Sequence, residues 1–64
     1  MTIKEMRMQT GFSQSQFAKY LNIPLFDIQN WEQGRRNPPI YVISMIYRIL
    51  LLEGVLSDGK EINN

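Results

Sequence analysis

The stretch from Gln14 to Gln33, QSQFAKYLNIPLFDIQNWEQ, leaves this chain few choices of fold. Phe17, Ala18 and Leu21 recur at i, i+1 and i+4, which lines one face of a short helix. Pro24, Ile28 and Trp31 follow at i, i+4 and i+7 and line a face of a second helix. Asn22 lies between them, and asparagine is the non-glycine residue that most readily takes the left-handed backbone a tight turn needs. Ala18 is small enough for the second helix to cross close over the first. Two short helices joined by so little chain make a helix-turn-helix pattern.

Start and stop signals frame this pair on both sides. Thr2-Ile3-Lys4-Glu5 has the form of a capping box, and Gly11 is placed to end the helix it opens. Ile3, Met6 and Thr10 follow one face of that helix. Ser13-Gln14-Ser15-Gln16 is a second capping box, with Phe12 and Phe17 spaced as a hydrophobic staple around it. The helix after Asn22 opens at Ile23-Pro24, where proline suits the first turn because its missing N–H would lack a helical partner anyway. Gly34 ends it. Asn37-Pro38-Pro39 opens a fourth helix that runs to about Glu53, with Gly54 as its stop.

With Ile28 and Trp31 turned inward, the helical period puts Phe26, Gln29, Asn30 and Gln33 on the opposite side. Glutamine and asparagine each offer a donor and an acceptor, the pair that reads an adenine edge in the major groove. Amides are also ordinary solvated surface residues, so this face alone leaves both readings open.

Residues Phe12 to Pro38, FSQSQFAKYLNIPLFDIQNWEQGRRNP, resemble the lambda-repressor-like, Cro/repressor-type (XRE) DNA-binding family, whose pattern runs LSQxxFAxxLGVSxxTISRWExGxRxP. The likeness extends over roughly residues 3 to 50, and the combination of SQxxFA with WEQGRRNP makes it specific. It implies an all-α, compact domain of four to five helices over residues 1–54, followed by a short polar tail, 55–64. It implies a double-stranded DNA partner met by a recognition helix spanning residues 24–33. Leu25, Phe26, Gln29 and Asn30 then stand at base-contacting places, and Gln14, Gln33, Arg35 and Arg36 at phosphate-contacting ones. Arg7 and Glu32 match the family's ion pair between its first and third helices. Two unrelated surface charges are the alternative.

The sequence departs from the family at the start of the recognition helix. Ile23-Pro24 replaces the usual capping serine or threonine, and Leu25 and Phe26 replace polar residues. Phe26 fits either a thymine methyl, which apolar side chains recognise, or a protein surface. Asp27 is repelled by phosphates yet complements the helix dipole in a first turn.

By resemblance, Ile40, Ile43, Ile46, Tyr47 and Leu50 of the fourth helix pack inward on Trp31 and the first helix. That leaves Val42, Met45, Ile49 and Leu52 as a second apolar stripe, and a helix apolar on two faces is normally covered on both. In 64 residues little chain remains to cover it, so a second copy of the chain is the expected partner, giving a homodimer. A membrane is not expected: Ser44, Arg48 and Glu53 interrupt a stretch already shorter than the ~20 residues of a span. The tail Ser57 to Asn64 is polar and is expected to fray.

Composition narrows the function classes. A chain this short buries only about 60% of its unfolded surface, and without cysteine it has no disulfide or thiolate metal site to compensate. Without histidine it lacks the usual general base and metal ligand. No nucleophile–base set, phosphate loop or metal cluster appears, so neither enzyme nor cofactor is expected. Met1 leads directly into a polar helical segment with no signal-peptide pattern, which suggests a cytoplasmic protein. The net charge of +1 splits into +3 over residues 1–50 and −2 over residues 51–64. Two readings follow: a dimeric, sequence-specific DNA-binding transcriptional repressor or other regulator, or an antitoxin-like protein-interaction module on the same fold.

Overall fold

Side-chain caps fix where the first two helices begin. In the structure, a computed structural model that describes residues 1–56, α1 runs Ile3–Thr10 and α2 runs Gln14–Leu21. Thr2 Oγ1 accepts from the Glu5 N–H at 3.1 Å while the Thr2 N–H donates to Glu5 Oε1 at 2.8 Å. Ser13 and Gln16 repeat the reciprocal pair at 3.1 and 2.9 Å. Each box satisfies two of the amides that a helix start leaves unbonded. α3, Leu25–Glu32, and α4, Ile40–Leu52, instead begin after prolines, Pro24 and Pro39, with no side-chain cap.

Helices α2, α3 and α4 stop in the same way. Asn22 takes φ 57° and ψ 43°, its N–H donates to Lys19 O at 3.2 Å, and the Ile23 N–H reaches back to Ala18 O at 2.9 Å. This is the Schellman pair of bonds around a left-handed residue. Gly34 (φ 78°) repeats it, with its own N–H on Trp31 O and the Arg35 N–H on Asn30 O at 3.0 Å. After α4 the Val55 N–H closes on Leu50 O at 2.8 Å. Each such turn sends the chain sharply sideways, which lets helices of eight residues cross instead of running in line.

The core gathers Ile3 and Met6 from α1, Phe17 and Ala18 from α2, Ile28 from α3, and Ile46 and Leu50 from α4. Met6, Phe17, Ile28 and Leu50 are fully enclosed, each worth about 1.5–3 kcal/mol of transfer free energy. α3 packs against both α1 and α2, and Ala18, 5% exposed, leaves room for its approach. Trp31 is half-buried against the same core, and Pro24 is exposed at the mouth of its helix.

Two expectations are corrected on α4 and beyond. Ile43 and Tyr47 do pack on the core, but Ile40 is 82% exposed. It is the first residue of the helix, and its Cβ leans back toward the N-terminus, away from the face that Ile43 and Ile46 turn to the core. The packed unit also continues beyond Gly54: Val55 packs on the core and Leu56 is buried within it. The expected fraying of Ser57 to Asn64 lies outside the described residues. Among the described residues the elements are four helices, none long and apolar enough to cross a membrane.

Candidate nucleic-acid interface

Glu32, the last residue of α3, is the point at which three helices are tied together. Arg7 Nε on α1 donates to Glu32 Oε2 at 2.7 Å and Arg7 Nη2 to Oε1 at 3.0 Å, a two-pronged pair with side chains 14% and 4% exposed. Gln14 Nε2, from the first residue of α2, donates to the same Oε1 at 3.0 Å. The third arm of the arginine, Nη1, donates to Phe12 O in the turn between α1 and α2, at 3.0 Å. Burial by itself pushes the Glu32 carboxyl up. The hydrogen bonds from Arg7 and Gln14 and the positive charges of Arg7 and Lys4 outweigh it and hold the group below its ordinary value. The bond to Glu32 in turn raises Arg7, against desolvation. α3 is thereby fixed in orientation at its C-terminal end by charge-assisted bonds and along its length by Ile28.

The outer side of α3 carries Phe26, 65% exposed, then Gln29, half-buried, and the exposed Gln33. No hydrogen bond within the described residues engages the side-chain amides of Gln29 or Gln33, so both are free to meet a ligand. Leu25 is less available, because it is half-buried and packs on the core one turn before Ile28. The period-based placement of Asn30 on this face is corrected. Asn30 is 4% exposed, its Oδ1 accepts from Arg35 Nε at 2.8 Å, and its backbone oxygen accepts from the Arg35 and Arg36 amides. The turn at Gly34 folds the following residues back over the last turn of the helix and covers this side chain.

Around that face lie the groups expected to meet phosphate. Arg35 and Arg36 are exposed in the loop after α3, and among the described residues Arg35 has a side-chain partner, Asn30, while Arg36 has none. Gln14 stands at the start of α2 as expected, but its amide nitrogen is engaged by Glu32, leaving one amide hydrogen and its backbone N–H without a partner among the described residues. Sequence reasoning missed the Gln14–Glu32 and Asn30–Arg35 bonds. The second had a signal: an asparagine four residues before a helix-ending glycine and an arginine just after it, the two positions a Schellman turn brings together.

On another side of the molecule, Met45, Ile49 and Leu52 of α4 are 56%, 36% and 79% exposed, while Val42 is half-buried on the core. A shallow apolar hollow of about 200 Å³ runs beside them, lined by Leu21, Ile23, Tyr41, Val42, Met45, Ile46 and Ile49. Among the described residues no group of three or more carboxylates is placed to hold a metal ion.

Residues 3–50 match the profile of a family described as helix-turn-helix. Searches of curated proteins and of solved structures returned no match.

Proposed function

Because this chain belongs to the Cro/repressor-type (XRE) helix-turn-helix family, we propose that it is a cytoplasmic, sequence-specific regulator of transcription that binds double-stranded DNA as a two-fold dimer, most simply as a repressor. What supports this reading most is the outer side of α3, where Gln29 and Gln33 keep unengaged amides beside exposed Phe26 on a helix anchored by Arg7, Gln14 and Glu32. In the proposed complex α3 enters the major groove. Gln29 offers a donor and an acceptor to a base edge, and Phe26 meets a thymine methyl. Arg35, Arg36, Gln33 and the free groups of Gln14 hold the sugar-phosphate backbone, which adds affinity without sequence preference. Arg7 and Glu32 touch no DNA; they set the angle of the helix that does.

The dimer rests on α4. Met45, Ile49 and Leu52, with the neighbouring hollow, form an apolar surface of the kind soluble proteins seldom leave open. A second copy placed around a two-fold axis covers it with the same surface. It must also set the two copies of α3 about 34 Å apart to reach successive major grooves.

Titration against a pool of random duplexes at several salt concentrations, followed by selection, tests the reading. Enrichment of one palindrome is the expected result. One observation favours a second reading: Phe26, a large aromatic ring left 65% exposed, equally suits a protein partner. Absence of any enriched or salt-dependent DNA binding would shift the assignment to that antitoxin-like protein-interaction module.

A further inference from the structure

We infer that Asn30 is a positioning residue, which holds Arg35 by its Nε so that the far end of the guanidinium meets a DNA phosphate. The inference rests on the DNA-binding reading given above. Asn30 is buried, 4% exposed, and its carboxamide oxygen accepts from Arg35 Nε at 2.8 Å. The backbone leads to the same pairing. Asn30 O takes the Arg35 N–H at 3.0 Å and the Arg36 N–H at 3.4 Å, so the loop after α3 is folded onto this one residue at three points.

In a Schellman turn the residue after the left-handed position normally makes an apolar contact with the one five places earlier. At this turn the pair is Asn30 and Arg35, and the contact is a hydrogen bond. The bond consumes the Nε donor and no other. Arg35 is exposed, and its two terminal nitrogens have no partner among the described residues. A guanidinium fixed at Nε keeps those nitrogens as a planar fork, the geometry that fits two phosphate oxygens. Arg36, one residue on, has no such tether among the described residues and serves as a looser charge. A buried asparagine at the end of a recognition helix thus acts on DNA through a neighbour and reads no base itself.

The test measures affinity for the selected site and for a random duplex between 50 and 200 mM salt, with wild type, Asn30→Ala, Arg35→Ala and the double variant. A lost phosphate contact makes the slope of log affinity on log salt shallower by about 0.9, or roughly threefold less affinity lost over that range. Asn30→Ala should lower affinity roughly threefold to tenfold at 0.1 M salt, alike on both DNAs, with a slope between that of wild type and that of Arg35→Ala, since the untethered guanidinium keeps its charge. In the Arg35→Ala background it should cost nothing further. Arg35→Lys, which keeps the charge but cannot make the Nε bond, should match Asn30→Ala and covers the case in which Asn30→Ala does not fold. In the free wild-type protein the Arg35 Nε–H proton should exchange slowly by NMR.

A loss confined to the selected site would mean that Asn30 swings out to a base, and additive losses would mean that it acts independently of Arg35. Either result overturns the inference, as does a fast-exchanging Nε–H. An unchanged salt slope in Asn30→Ala and Arg35→Lys, with wild type binding normally, overturns it alone. A wild-type protein that binds no duplex overturns the DNA reading and this inference with it.

Discussion

Replacing Glu32 by alanine removes the acceptor on which two helices converge, and the structure gives the scale of the damage. Arg7 loses the partners of Nε and Nη2, at 2.7 and 3.0 Å, and keeps only Phe12 O for Nη1. Gln14 loses the acceptor for its side-chain nitrogen. The arginine that remains is 14% exposed, so water reaches it only in part. Removing one partner of a buried ion pair costs about 3–5 kcal/mol, and the partial access of Arg7 places this case at the lower end, about 3 kcal/mol. A core of this size rarely supplies more than about 3–5 kcal/mol in all. With a urea dependence of about 1 kcal/mol per molar, Glu32→Ala should move the midpoint down by about 3 M, close to the edge of folding. The assay is urea denaturation followed by helical circular dichroism. Arg7→Met with Glu32→Leu, which leaves no stranded charge, should recover much of the loss, because the penalty lies in the orphaned guanidinium. A Glu32→Ala midpoint equal to wild type would show that the ion pair contributes nothing to the stability of the fold.

The same carboxylate gives the domain an acid sensitivity of defined sign. Its folded pKa is lowered, so the unfolded chain binds the proton more readily, and stability falls as pH drops below about 4.3 and on through the lower folded value. Glu32→Gln should lack that part of the acid loss; parallel acid curves for the two proteins would refute it. On DNA, Gln29→Ala should cost about 1–3 kcal/mol on the selected site and far less on a random duplex, and equal losses would remove α3 as the reader. Arg36→Ala should weaken both DNAs alike and flatten the salt dependence, as a filter or fluorescence titration would detect. Ile49→Lys should give a folded monomer that still binds a half-site but loses affinity for the full palindrome. Sedimentation showing wild type monomeric both free and on its full site would refute the α4 dimer.

Much of this arrangement was legible because it is built from local rules. The capping residues Thr2 and Ser13, the left-handed Asn22 and the helix-ending glycines act within three or four residues of themselves, so their consequences can be read from neighbours in sequence. Ile28 and Trp31 follow from helical period, and Arg7 with Glu32 from the family pattern. What could not be read is set by where a helix ends relative to its neighbours. Ile40 has the spacing of a core residue yet is exposed, because it opens the helix and its Cβ leans back toward the N-terminus. Leu56 stands outside every helical pattern yet fills the core, because the turn after α4 redirects the chain inward. Gln14 was placed at the right helix start, but its engagement by Glu32 depends on how α2 meets α3, which no local rule specifies.

Asn30 exposes the reason most clearly, since the helical period that places Gln29 and Gln33 outside also places it outside. The period describes a helix in isolation, whereas its last turn is covered by whatever the chain does next. Three helices here end in the same pair of backbone bonds, and these bring together Ala18 with Ile23, Asn30 with Arg35, and Leu50 with Val55. In the first and third pairs all four side chains belong to the core or pack on it, so those turns act as lids on apolar surface. In the second the backbone is the same but both side chains are polar and hydrogen-bond each other. An apolar pair there would close the helix equally well and leave no guanidinium held in place. Under the proposed DNA reading, asparagine and arginine at that one turn hold a guanidinium ready for a phosphate outside the protein.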